Sequence, residues 1–264
     1  NGSMYVGGHV GQIVIARTLG LAGDSLTVHG NLGSLKVGTD RGATGSSLKL
    51  DLNVVGDLGV LDVTGRVEGD VYVKGTLGTL NVRADEDAPG DIVTGEILVL
   101  GSLNSATLTG GSLGADVTVG DNIGTFRIVN ADLPALVSLT STYGDISRVE
   151  VLGGDLYGSV AAVNGDIGAV NVTGSDFGGT LSGLNIGSIS VAGSILAGSA
   201  VTTPGQIGGV SVRGDVEAGA VLEAGSARSI TVNGDWMGLL EAGYAPQPTA
   251  VRIDGDLGGD LTLD

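Results

Sequence analysis

The 264-residue chain contains no cysteine, which excludes disulfides, thiolate catalysis and cysteine-ligated zinc. Aromatic residues are scarce, at 3%, and the five tyrosines and single tryptophan fall in no recurrent position, so an aromatic platform for sugars is hard to assemble. There are only three lysines, and 12 basic residues face 29 acidic ones, for a net charge of −17. Clustered Lys and Arg, which phosphate neutralisation requires, are missing, and nucleic acid is excluded as a partner. No apolar run approaches the roughly 18 residues of a membrane-spanning helix, so no membrane insertion is expected. The opening residues NGSMYVGG carry neither a basic n-region nor an apolar h-region. They do not begin with Met, and the chain reads as a processed form or as a stretch excised from something longer.

Glycine and aspartate fill the space these absences leave. Fifty residues are glycine, yet no Gly-X-Y period runs through them, and with 42% hydrophobic residues and a mean hydropathy of +0.35 the chain is too apolar for disorder. Aspartate outnumbers glutamate 22 to seven. Aspartate suits turns, where its short side chain reaches nearby backbone, and glutamate suits helices, so many turns and little helix are expected.

Residues 56–82, GDLGVLDVTGRVEGDVYVKGTLGTLNV, nearly repeat themselves after nineteen residues. Extended over the chain, the pattern gives twelve anchor positions: Val10, Leu32, Leu58, Leu77, Leu103, Ile123, Ile146, Ile167, Ile186, Ile207, Ala227 and Pro248. The residues three and five places after each anchor are apolar in every copy, as in Leu61 and Val63, while the residue between them varies freely (Lys36, Asp62, Asn81, Arg127). Such alternation marks a short strand with one face buried, bounded by Gly and Asp. One strand of this kind cannot bury its own face, but twelve stacked in parallel can. The fold predicted is all-β: a single parallel β-helix, or β-solenoid, of about twelve coils of roughly 21 residues, without significant helix and forming one domain over residues 1–264. At about 4.8 Å per coil, twelve coils would extend on the order of 55–60 Å. A β-propeller fits less well, since its blades need about 40–50 residues and a signature of their own.

Glycine at the corners of a narrow coil supplies positive φ or close backbone approach. The residue before each anchor is small and polar in most copies (His9, Asn31, Asp57, Thr76, Asp145, Asp166, Asn185), and a ladder of side-chain hydrogen bonds running from coil to coil is expected there.

For chemistry, aspartate is the main candidate. Gly-Asp occurs twelve times, and paired carboxylates can act as acid and base or bind calcium; recurrence coil after coil favours turn chemistry instead. The densest acidic patch, Asp85, Glu86, Asp87 and Asp91 in RADEDAPGD, is the candidate calcium site, weighed against a solvated loop and lacking the nonapeptide of calcium-binding β-rolls. His9 and His29 fall in different positions of the repeat, which argues against a shared metal. No GxSxG elbow is present, and the tripeptide Arg213-Gly214-Asp215 arises from the repeat's own Gly-Asp corner preceded by an arginine. The sequence points to no catalytic or cofactor-binding residue and to no cofactor other than calcium.

No capping segment is recognised. The repeat begins almost at once, and a tail-to-head junction of two copies would place successive anchors 26 residues apart, as in the longest internal gaps. Head-to-tail stacking, or continuation into flanking solenoid repeats, is the partner expectation.

The whole chain, carried by GDLGVLDVTGRVEGDVYVKG and its relatives, resembles the Gly/Asp-rich β-solenoid regions of large adhesin-like bacterial surface and secreted proteins. It is also similar in texture to bactofilins, polymerising bacterial β-helices. These resemblances imply a non-enzymatic structural protein, extracellular or at the cell surface, serving as a filament subunit or rigid stalk segment. The alternative is a parallel β-helix that binds or degrades polysaccharide.

Overall fold

A computed structural model describes residues 2–39, 45–85, 90–243 and 250–263. The chain is an all-β parallel β-solenoid of about twelve turns, and the described residues contain strands and turns but no helix. It divides into two compact units, residues 1–131 and 132–264.

In the first unit each coil has three sides. The repeat's own strand forms one: Val10–Ile15, Leu32–Val37, Leu58–Thr64, Leu77–Arg83, Leu103–Thr109 and Ile123–Val129 stack in parallel. Anchor faces anchor throughout, and Leu35, Leu61, Leu80, Ala106 and Phe126 form one buried column. A second side stacks Ser3–Val6, Ser25–Val28, Asp51–Val54, Val71–Val73, Ile97–Val99 and Val117–Val119. The third side is short, made of Ser47–Leu48, Arg66–Val67, Asp91–Val93 and Ser112–Leu113.

The second unit repeats the first two sides. Ile146–Leu152, Ile167–Thr173, Ile186–Val191, the end of Ala200–Val212, Ser229–Val232 and Ala250–Ile253 carry the repeat's strand. Its third side narrows to single bridging residues, Leu133, Leu156, Phe177, Ile195, Val216, Trp236 and Leu257, each paired in parallel with the next. All but Leu257 are fully buried, and the Trp236 indole N–H donates to the Gly238 carbonyl at 2.9 Å.

Within each unit the described residues of the expected apolar columns pair in register, so the repeat read from sequence is the stacking unit of the fold. The twelfth anchor, Pro248, lies outside the described residues, but Val251 and Ile253 of the same copy pair with Ile230 and Val232 as expected.

Candidate functional site

At the corners most backbone groups still pair from coil to coil, as the Gly75 amide does with the Gly56 carbonyl and the Leu58 amide with the Thr76 carbonyl, but one amide per corner, such as that of Thr76, has no backbone acceptor there. Buried or half-buried amides at a corner still need acceptors. A short polar side chain on the coil below can provide one, and it must come with space to lie in.

The expected polar ladder before the anchors is present. The Asn31 amide donates to His9 Nδ1 at 2.9 Å, the Asp57 amide to Asn31 Oδ1 at 3.0 Å, and the Thr76 amide to Asp57 Oδ1 at 2.8 Å. In the second unit the Asp166 amide donates to Asp145 Oδ1, Asn185 Nδ2 to Asp166 Oδ1, and the Gln206 amide to Asn185 Oδ1, all at 2.9 Å.

Sequence reading missed a second and longer ladder. Before the bridging residues of the third side stand Asp132, Asp155, Asp176, Ser194, Asp215, Asp235 and Asp256, one per coil. The side-chain oxygen of each accepts the backbone N–H of the next, at 2.8, 2.8, 2.6, 3.1, 2.8 and 2.8 Å in turn. A shorter run joins Asp51, Asp70 and Glu96: the Asp70 amide donates to Asp51 Oδ1 at 3.1 Å and the Glu96 amide to Asp70 Oδ1 at 2.9 Å. The recurring Gly-Asp dipeptides therefore sort onto three different corners. The signal for the second ladder was the spacing of Asp155, Asp176, Asp215, Asp235 and Asp256, which follows the coil length.

The glycine of the dipeptide has its own cause. A Cβ on Gly234 would overlap Asp215 Oδ1, and Gly255 stands in the same relation to Asp235, Gly193 to Asp176 and Gly75 to Asp57. The carboxylate of one coil occupies the space a side chain would need on the next. Gly-Asp is thus a two-part joint, in which glycine makes room for the oxygen below and aspartate serves the amide above.

The carboxylates are bound to backbone rather than gathered into a site. Asp215, the last residue of Arg213-Gly214-Asp215, has Oδ1 on the Asp235 amide. Of the candidate calcium residues, Glu86 and Asp87 lie outside the described residues. Asp85 Oδ2 accepts the Gly45 amide at 2.6 Å, and Asp91 sits at the start of a third-side strand, exposed. Among the described residues no group of three His, Asp or Glu is placed to hold a metal ion. His9 is engaged by Asn31, while the His29 ring lies 4.8 Å from that of Tyr5 in a tilted contact.

Local electrostatics follow the same bonds. The Gly2 amide, at 2.6 Å, and then the Leu21 amide, at 3.0 Å, hold the Asp24 carboxyl below the usual carboxylate range. The Tyr157 hydroxyl donates to Asp155 Oδ2 at 2.9 Å, and that bond, followed by partial desolvation and the neighbouring carboxylates, raises the phenol above its ordinary value. A shallow cleft of about 530 Å³ in the second unit is lined by Thr173, Asp176, Ser190, Ser211 and Arg213 among others.

No family model, no curated protein and no solved structure matches this chain.

Proposed function

We propose that the chain is a non-enzymatic structural protein of the cell exterior, a rigid stalk segment or a filament subunit, whose partners are flanking solenoid coils or further copies of itself. The observation that carries this reading is the use to which its aspartates are put. In six consecutive coil-to-coil steps of the second unit, a side-chain oxygen accepts the amide above it. Five of these acceptors are carboxylates and one is the Ser194 hydroxyl; such bonds contribute about 0.5–1.5 kcal/mol each where they are exposed to solvent, and they act between coils, where a pulled solenoid would part. The resemblance to adhesin-like repeat regions and to bactofilins supports the same role and the extracellular or surface location. So does the acidic surface, which favours solubility and opposes lateral clumping.

Single-molecule extension of the full chain tests it. Coil-by-coil resistance is expected, and D155A, D215A and D235A should each lower the force of the coil they leave. Easy extension, unchanged by these substitutions, would remove the reading.

A second reading, polysaccharide binding, rests on the cleft that holds Asp176 beside Arg213. Titration with acidic and neutral oligosaccharides checks it: saturable binding lost in R213A would favour it over the structural role.

A further inference from the structure

One face of the second unit is unlike the rest of this acidic chain. On Ile167–Thr173, Ile186–Val191, the end of Ala200–Val212 and Ser229–Val232, the outward residues are Gly, Ala, Ser, Thr and Asn, and none is acidic. The coils on either side carry acidic residues there, each paired with an arginine of its own coil: Arg148 with Glu150 at 3.1 Å and Arg252 with Asp254 at 2.8 Å. At the ends of the strands between them stand Arg213 and Arg228, both exposed. Neither guanidinium has an ion pair or hydrogen bond with a described residue. In a chain of net charge −17, this is a cationic face without a counterion of its own.

The corner that follows this face holds a cleft with a structural cause. Leu156 and Phe177 stand ten places after their anchors Ile146 and Ile167, whereas Ile195 and Val216 stand nine places after theirs. The longer corners contain one more residue, Gly153 or Gly174, at φ 73° and 89°. The Gly153 amide donates to the Thr173 carbonyl of the next coil at 2.9 Å. Gly174 has only a shorter corner above it, and its amide has no acceptor among the described residues. At this step lies the shallow cleft of about 530 Å³ where Gly174, Asp176, Ser190, Ser211 and Arg213 meet. Asp176 Oδ1 is already taken by the Ser194 amide at 2.6 Å. The groups left open are one amide, one guanidinium, two serine hydroxyls and the second Asp176 oxygen.

We propose that this face binds an acidic polysaccharide of the uronate class, with one sugar carboxylate in the cleft on Arg213 and the Gly174 amide, and another on Arg228. This rests on the polysaccharide reading above and gives it a charge and a path. A planar carboxylate accepts two parallel N–H bonds from a guanidinium, and the open Asp176 oxygen accepts a sugar hydroxyl. Arg228 stands one place after its anchor Ala227, and Arg213 six places after Ile207. The two are therefore about 17 Å apart along the strands, at about 3.3 Å per residue, and one coil apart across them. A single sugar cannot meet both, but a chain laid along the strands can, passing Ser190, Ser211 and Thr231, whose hydroxyls can bond to its own. A nucleic acid fits less well, because two cations neutralise few phosphates and the face has no aromatic ring on which a base could stack.

Isothermal titration of the 264-residue chain with oligogalacturonates of increasing length, their methyl esters, galacturonate itself and an oligothymidylate tests this. The longer oligogalacturonates should bind, less tightly as salt is raised. The monosaccharide and the uncharged esters should bind about tenfold or more weakly than the long acid, since each forgoes contacts that the acid chain makes together. R213A and R228A should each weaken binding about threefold to tenfold, as loss of an exposed hydrogen bond does. R213K should recover only part, because lysine keeps the charge and loses the fork. Circular dichroism melts of the variants should match the parent, and the ester comparison needs no variant at all. Esters that bind as tightly as the acids, or binding indifferent to both arginines, would overturn the inference and leave the polysaccharide reading standing. Absence of any saccharide binding would remove both. Tighter binding of the oligothymidylate than of any oligogalacturonate would overturn the sugar assignment in favour of nucleic acid.

Discussion

At the scale of the residue, Gly234 and Asp215 show why a chain this simple is still specific. The two are one joint: the carboxylate that accepts the Asp235 amide fills the place of a Gly234 side chain. G234A is expected to cost about 2 kcal/mol or more, through overlap with that oxygen and with the Gly214 carbonyl. D215A should cost about 0.5–1.5 kcal/mol for the lost bond, which is exposed to solvent. Their effects should not add, because removing the carboxylate removes part of the clash, and a double-mutant cycle in urea reads the coupling. Leu136 departs from the local rule. It holds φ 71° and is fully exposed, at a corner position where Gly198 and Gly219 have φ 83° and 89°. A left-handed conformation costs a side chain about 1–2 kcal/mol, so L136G should stabilise the chain by up to about 1 kcal/mol once the added freedom of the unfolded glycine is subtracted. A shift of the urea midpoint to higher concentration is the readout.

At the scale of the element, strands and corners were unequally legible. Alternation such as Leu61-Asp62-Val63 states which face is buried, and within each unit the structure puts those residues in register. The corners are harder to read. Gly-Asp announces a turn, but the dipeptide alone does not tell which oxygen meets which amide, since that depends on a residue about a coil away. The ladder before the anchors was found because the anchors had already aligned it; the ladder through Asp155, Asp176 and Asp235 was not, because its strand has shrunk to a single bridging residue and leaves no alternation to align. Asp24 ties the corner before the Ser25–Val28 strand to the amides of Gly2 and Leu21. Its carboxyl is depressed, so the stabilisation it gives is present above the unfolded carboxylate value, about 3.9, and is lost as pH falls through the lower folded value. The protection of the Ser3–Val6 amides, corrected for their slower intrinsic exchange in acid, should therefore fall below about pH 4, and D24A, which removes both acceptors, should lower it at neutral pH as well.

At the scale of the whole molecule, composition and architecture agree. Parallel backbone pairing and apolar columns hold successive coils together, side-chain ladders join their corners, and much of the net charge of −17 sits on the aspartates of those ladders. In repeat architectures stability is close to a sum over units and their interfaces, and here the interface has a standard fitting. Deleting residues 215–234 joins Gly214 directly to Asp235, restoring a Gly-Asp joint with Ser194 beneath it. That chain should fold cooperatively and melt within a few degrees of the parent, while deletion of 215–224, half a coil, should unfold everything after the cut; circular dichroism melts distinguish the two. Because each joint asks only for an oxygen below and an amide above, the number of coils is free to drift by duplication and loss. A gene for such a protein can change how far its product reaches without renegotiating how it folds.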